Sequence, residues 1–479
     1  MKGRSPFFAA CCIAATALSL SLAGCNSSDS RAREAFSDYQ AASAAGDLIA
    51  ARIALLQLVA AKDDQPDYWQ ELGKVQIQLG AYSDAYYAFT RAYELDKSNS
   101  EVLSTLTQLA LLSGNIDVAE DHARKLELLA PDHPAIKLTM GYVAMKRSNL
   151  DEADRQVDAL LQAYPYEPSA KLLKGRILLA RGRHDDAIQL LEDQVRVKPD
   201  DPGSWKALIA LHERDSNWRG VAEAASRLAS LNDKDTKSVL TAIDAYFRYG
   251  NVTAGLEKSE ELLKPKSPPD LIEAVLNIWA ERWKSPQAVQ EARRLSRAAA
   301  PQQTLAYATY FNSAGSPGDA AKMLGGGEPR LPVSLTNLSS NAVIAESIAL
   351  RGGEAQAKQL FDAILAKEPD HVYALRGRIN LEIRTGAAKA AIVDAQRLVS
   401  VVPRSARDRL LLARAYEAAG DRRQVDRTLW DAFHEIPANL MLYEALRDNV
   451  QKSGGPEAAA QVTAEFQQQQ DTDLSREFI

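Results

Sequence analysis

The chain has 479 residues, of which 46% are apolar, 25% charged and 7% aromatic, with a formal net charge of −6. The apolar share excludes a generally disordered chain, and the mildly acidic balance excludes a wholesale nucleic-acid binder. Three cysteines over this length exclude a disulfide scaffold.

The first element reads as a leader. Lys2 and Arg4 precede an uncharged run from Phe7 to Leu22, which is short for a bilayer span and has the build of a secretory signal. The run ends in Leu22-Ala23-Gly24-Cys25, which resembles a bacterial lipobox. The resemblance implies a cleaved lipoprotein signal peptide over 1–24, and a lipidated Cys25 with a short linker over 25–30. Cys11 and Cys12 then leave with the signal, and no thiol remains for a disulfide, a metal or catalysis. In the best-known sorting rule an aspartate after the cysteine retains the protein at the inner membrane. Asn26 stands there instead, so the implied location is the bacterial envelope, anchored by lipid at the outer membrane and facing the periplasm.

After residue 30 the chain repeats every 34 residues. Stepping from Gly46 gives Gly80, Gly114, Ser148, Gly182, Ser216, Gly250, Lys284, Gly318, Gly352, Gly386, Gly420 and Gly454, with no insertion or deletion needed. An alanine lane keeps the same phase at Ala51, Ala85, Ala119, Ala153, Ala187, Ala357, Ala391 and Ala459. A proline lane does so at Pro131, Pro165, Pro199, Pro301, Pro369, Pro403 and Pro437. Each unit then predicts two helices. The first ends at the glycine in a left-handed turn, and an Asp or Asn such as Asp47, Asn115, Asp185 or Asp421 caps the second. The alanine permits close helix approach, and the proline stops the second helix.

The clearest copy, Trp69, Leu72, Gly73, Gly80, Ala85, Phe89 and Ala92, resembles the tetratricopeptide repeat. The resemblance implies an all-α fold, a right-handed superhelical solenoid of about thirteen helix-turn-helix units. It divides into an N-terminal repeat block over 31–301, an irregular repeat over 302–337, a C-terminal block over 338–467 and a frayed tail over 468–479. The irregular stretch contains GSPGD, three consecutive glycines and two prolines, so its second helix must be short. It reads equally as a joint or as a rigid irregular repeat.

The chain has no phosphate loop, no HExxH, no GxSxG and no CxxC. His184-Asp185-Asp186 reads as a solvated turn, and Trp69, Trp205, Tyr86, Phe89 and Phe361 fall on packing lanes. We therefore expect no enzyme, no metal and no cofactor. First-helix residues spaced 3, 4 and 3 share a stripe, and in the tetratricopeptide family such residues line the concave face and take peptides or partner helices. In phase these are Leu138, Tyr142, Met145, Leu172, Arg176 and Leu179 early, and Tyr373, Arg376, Asn380, Arg407, Leu410 and Arg414 late. Between Arg376 and Arg427 stand twelve basic and six acidic residues, an excess suited to an acidic partner segment or an anionic polysaccharide. The expected function is a scaffold that binds partner proteins in an envelope assembly. Lipoproteins of this design resemble those found with exopolysaccharide export and exosortase-linked sorting. The alternatives are an outer-membrane protein assembly lipoprotein and, more remotely, an envelope enzyme with an unrecognised site.

Overall fold

The structure is a computed structural model that describes residues 12–232 and 234–477, with side chains described over 28–232 and 234–470. Cys25 and the signal segment therefore lie outside the described side chains. Among the described residues there is no strand, and no helix is long and apolar enough to cross a membrane. The helices divide into two compact units between Leu190 and Leu191.

In the first unit the helices are α1 Cys12–Ala45, α2 Leu48–Ala61, α3 Pro66–Gln78, α4 Tyr82–Leu95, α5 Ser100–Leu112, α6 Ile116–Leu129, α7 Pro134–Lys146, α8 Leu150–Ala163 and α9 Pro168–Ala180, with α10 His184–Val197 at its end. The second unit holds α11 Pro202–Arg214, α12 Trp218–Leu231, α13 Thr236–Arg248, α14 Val252–Leu262, α15 Pro269–Arg282, α16 Pro286–Ser296, α17 Thr304–Ser313 and α18 Pro317–Met323. It continues through α19 Leu338–Leu350, α20 Glu354–Lys367, α21 Val372–Arg384, α22 Ala388–Val401, α23 Ala406–Ala418, α24 Arg422–Glu435 and α25 Leu440–Glu477. The last is two helices joined at Gly455, whose φ is 79°.

The turn inside each hairpin follows from local chemistry. At Gly80 the amide of Ala81 donates to the Gln76 carbonyl at 2.9 Å and that of Gly80 to Ile77 at 2.9 Å, which satisfies carbonyls left open at the end of α3. The same pair of bonds recurs at Gly114, Ser148 and Gly182. Ser148 and Ser216 keep the left-handed conformation there, with φ of 60° and 54°. The lane departs from expectation three times: the left-handed residue is Gly315, not Gly318, and Gly455, not Gly454, and Lys284 is not left-handed. Asp47 and Asp421 cap as expected. Asn115 makes no side-chain cap bond, and Asp185 lies inside the first turn of α10.

The alanine lane is the seam of each hairpin. Ala85, Ala119, Ala153, Ala187, Ala357 and Ala391 have no exposed surface. Glycine in the first helix serves the same approach: a Cβ on Gly73 would stand 2.5 Å from the Phe89 ring. Trp69 and Trp205 are half-buried packing residues, and each indole N–H donates to a carbonyl six residues earlier, on Asp63 and Pro199, at 2.9 Å. This ties the loop between repeats to the next helix.

The stretch 302–337 is packed into a single continuous core. Tyr307, Phe311, Ala320 and Leu324 all belong to the core that runs from Ile243 to Ala415. As the glycines and prolines require, α18 has only 7 residues. The irregular loop after it is stapled by two asparagines. Asn341 accepts from the Arg330 amide at 2.8 Å, and the Asn337 amide donates to the Arg330 and Pro332 carbonyls. These bonds hold the segment as an irregular repeat inside a unit, and the division of the chain falls earlier, in α10. The tail expected to fray from residue 468 continues as helix to Glu477. Gln469 accepts from the Ala438 amide at 2.9 Å.

Candidate functional site: the inner face of the repeats

In the second unit the first helix of each hairpin packs on the first helix of the next, from α13 to α15, α17, α19, α21, α23 and α25. The last of these returns to α11, so this unit closes on itself. Its inner face is crossed by polar bridges. The Tyr373 hydroxyl on α21 donates to Glu273 on α15 at 2.7 Å. Burial, followed by this bond, pushes the phenol well above its ordinary range. The Arg407 guanidinium on α23 donates to Asn277 on α15 at 3.0 Å. Further along, Arg248 on α13 donates to Glu444 on α25 at 2.9 Å and to Asp244 at 2.6 Å, and its guanidinium lies 4.5 Å from the Trp218 ring centroid.

The late residues read from the sequence thus share one face, but not as a free cationic cluster. Arg376 grips Asp408 on the next first helix with two bonds of 2.7 Å, and Asp408 is fully buried. Asn380 hydrogen-bonds Glu346, whose carboxyl is raised by its burial. Leu410 is half-buried, while Arg407 and Arg414 are exposed. The local basic excess is also offset by carboxylates beyond its boundaries. Arg378 pairs with Asp362, Arg397 with Asp370, and Arg409 with Glu435. A count along the chain misses these because the helices bring them from neighbouring repeats. Glu273, Asn277, Glu346 and Asp408 were not singled out from the sequence. Only Asp408 carried a local signal, a carboxylate beside Arg407 one repeat after Arg376.

In the first unit the early residues also come together, across α7 and α9. The Arg176 guanidinium lies 5.5 Å from the Tyr142 ring centroid, and both residues are 6% exposed. Leu172 is buried, and Leu138, Met145 and Leu179 are half-buried. Of the other motifs, Asp186 pairs with Arg183 at 2.6 Å. Among the described residues no group of three or more His, Cys, Asp or Glu side chains is placed to hold a metal ion.

A stack of helical hairpins with a polar and aromatic inner face defines a repeat scaffold. Family models described as tetratricopeptide repeat match residues 76–141 and 138–202, so 76–202 carries tetratricopeptide repeats. Such arrays are protein-interaction scaffolds, and the fold is typically non-catalytic. No curated protein matches the chain. Among solved structures it is similar to the MamA protein, at 17% identity over 35% of this chain and 91% of that one, with a TM-score of 0.31. It is also similar to the tetratricopeptide domain of P58(IPK), at 15% identity over 82% and 99%, with a TM-score of 0.27. A third is PilF of Pseudomonas aeruginosa, at 18% identity over 46% and 98%, with a TM-score of 0.32.

Proposed function

We propose that this chain is a lipid-anchored scaffold on the periplasmic side of the outer membrane, binding partner proteins in an envelope assembly such as an exopolysaccharide export system. The supporting observation is the occupancy of the chain: helical hairpins follow one another as far as α25, and their first helix, α1, already contains the lipobox cysteine Cys25. The anchor holds the array at the bilayer, and the inner faces offer aromatic, arginine and carboxylate groups to a partner segment. An acidic segment is the favoured partner, because Arg407 and Arg414 remain exposed beside neutralised pairs.

Two measurements test the reading. Cys25→Ala is expected to abolish acylation and shift the protein out of the lipoprotein fraction in detergent phase partitioning, and equal partitioning of mutant and wild type counts against the anchor. Crosslinking in intact envelopes followed by capture identifies the partners. Recovery of export or assembly components supports the scaffold, and a chain that crosslinks to nothing opposes it.

A further inference from the structure

The helix α2 differs from every later second helix of the first unit. It reads LIAARIALLQLVAA, with Arg52 its only charge. Its inward side, Ala51, Leu55, Leu58 and Val59, is buried. Its outward side carries Ile49, Ile53 and Leu56, spaced 4 and 3 on one stripe, at 61%, 51% and 46% exposure. The 34-residue period supplies the comparison. At the register of Ile49 the next units carry Ser83, Asp117 and Asp151. At that of Ile53 they carry Tyr87, Asp121 and Arg155, and at that of Leu56 they carry Thr90, Arg124 and Asp158. The outward stripe is thus apolar in the first unit of the array, aromatic and hydroxylated in the second, and charged in the third and fourth. Tyr82 and Tyr87, on the second, are themselves 50% and 61% exposed.

The position of this stripe points to its occupant. Lys62, just past the end of α2, bonds Asp29 on α1 at 2.7 Å. Asp29 is four residues after Cys25, a reach of at most about 14 Å. Leu56 stands six residues before Lys62, about 9 Å along the helix axis. The array therefore presents an apolar helix face, bordered by tyrosines and a single arginine, next to the point where the chain meets lipid. Interfacial helices have this composition, with apolar side chains entering the acyl boundary and tyrosine and arginine at the headgroups.

We infer that the outward face of α2 is a membrane-contact surface that lies on a lipid bilayer and lays the first repeat against it. The inference rests on the anchoring proposed above and adds an orientation to it. The test uses the processed, acylated protein in vesicles of phosphatidylethanolamine and phosphatidylglycerol. Ile53→Cys and, as the reference at the same register, Asp121→Cys each carry a nitroxide label, and circular dichroism verifies the fold. Collision with oxygen and with a water-soluble nickel chelate is then measured for each. The label at position 53 is expected to favour oxygen several-fold over that at 121. Equal, water-like values at both positions in protein that floats with the vesicles overturn this inference and leave the anchor standing. Protein that does not float overturns the anchor and this inference together. Spin–spin broadening at position 53 means that a second copy covers the face, and overturns the lipid assignment.

Discussion

Arg376 carries the largest residue-scale consequence of the inner face, because its partner Asp408 has no exposed surface. Removing one partner of a buried pair leaves an uncompensated charge, at a cost of about 3–5 kcal/mol. Arg376→Glu is therefore expected to lower the urea midpoint substantially. Arg414→Glu, at an exposed position, should shift stability by only about 0.5 kcal/mol. Equal effects in the two variants would argue against the assigned pairing. Glu382 makes a second prediction. It is 8% exposed, and burial, aided by Asp394, pushes its carboxyl from 4.5 up to about 7. Below pH 4.5 it is protonated whether folded or unfolded and contributes nothing to the pH dependence. As pH rises from there through 7 the unfolded chain releases the proton first, so stability falls, by roughly 3 kcal/mol once the folded group has ionised. Glu382→Gln should remove this loss, so that melting temperatures of variant and wild type diverge between pH 5 and pH 8 in the variant's favour. Parallel curves would contradict it.

At the scale of the helical hairpin, what the sequence disclosed was what local chemistry decides. A left-handed residue, a seam alanine and a stop proline each act within a few residues, so they recur at 34 and can be counted. The slips at Gly315 and Gly455 were not legible. Both stretches contain alternative glycines, GSPGD and GGP, and packing of the shortened α18 or the kinked α25 selects between them. Gly182 isolates the backbone term. Its φ is 73°, and nothing lies within 4 Å of the Cβ that a substitution would add. Gly182→Val thus makes no clash, and its cost is that of a β-branched residue in the left-handed region, at least about 1–2 kcal/mol. Because a repeat couples chiefly to its neighbours, amide exchange should quicken first in α9 and α10. Unchanged exchange there would contradict the turn assignment. Gly377→Val is the packing counterpart. Its Cβ would stand 2.6 Å from the Phe361 ring, so the loss should come from the core between α20 and α21.

At the scale of the whole molecule, the bridges across the second unit could not be read from a period. Tyr373 and Glu273 are 100 residues apart, and Arg407 and Asn277 are 130 apart. Such pairs meet only because small rotations between successive repeats accumulate until α15 faces α21 and α23. The bridges give the inner face a closed form that competes with any partner seated there. A hydrogen bond to a charged group contributes about 1.5–3 kcal/mol. Tyr373→Phe removes such a bond to the Glu273 carboxylate while keeping the ring, and Arg407→Ala removes the other link to α15. If partners use this face, the open form is the competent one, and its fractional population divides the intrinsic affinity. The double variant should then lose about 3–6 kcal/mol of stability relative to wild type and, at temperatures where it is folded, recover more crosslinked partner from envelopes. Reduced recovery would mean that Tyr373 and Arg407 touch the partner directly. Unchanged recovery from a well-folded variant would place partner binding away from the inner face of this unit.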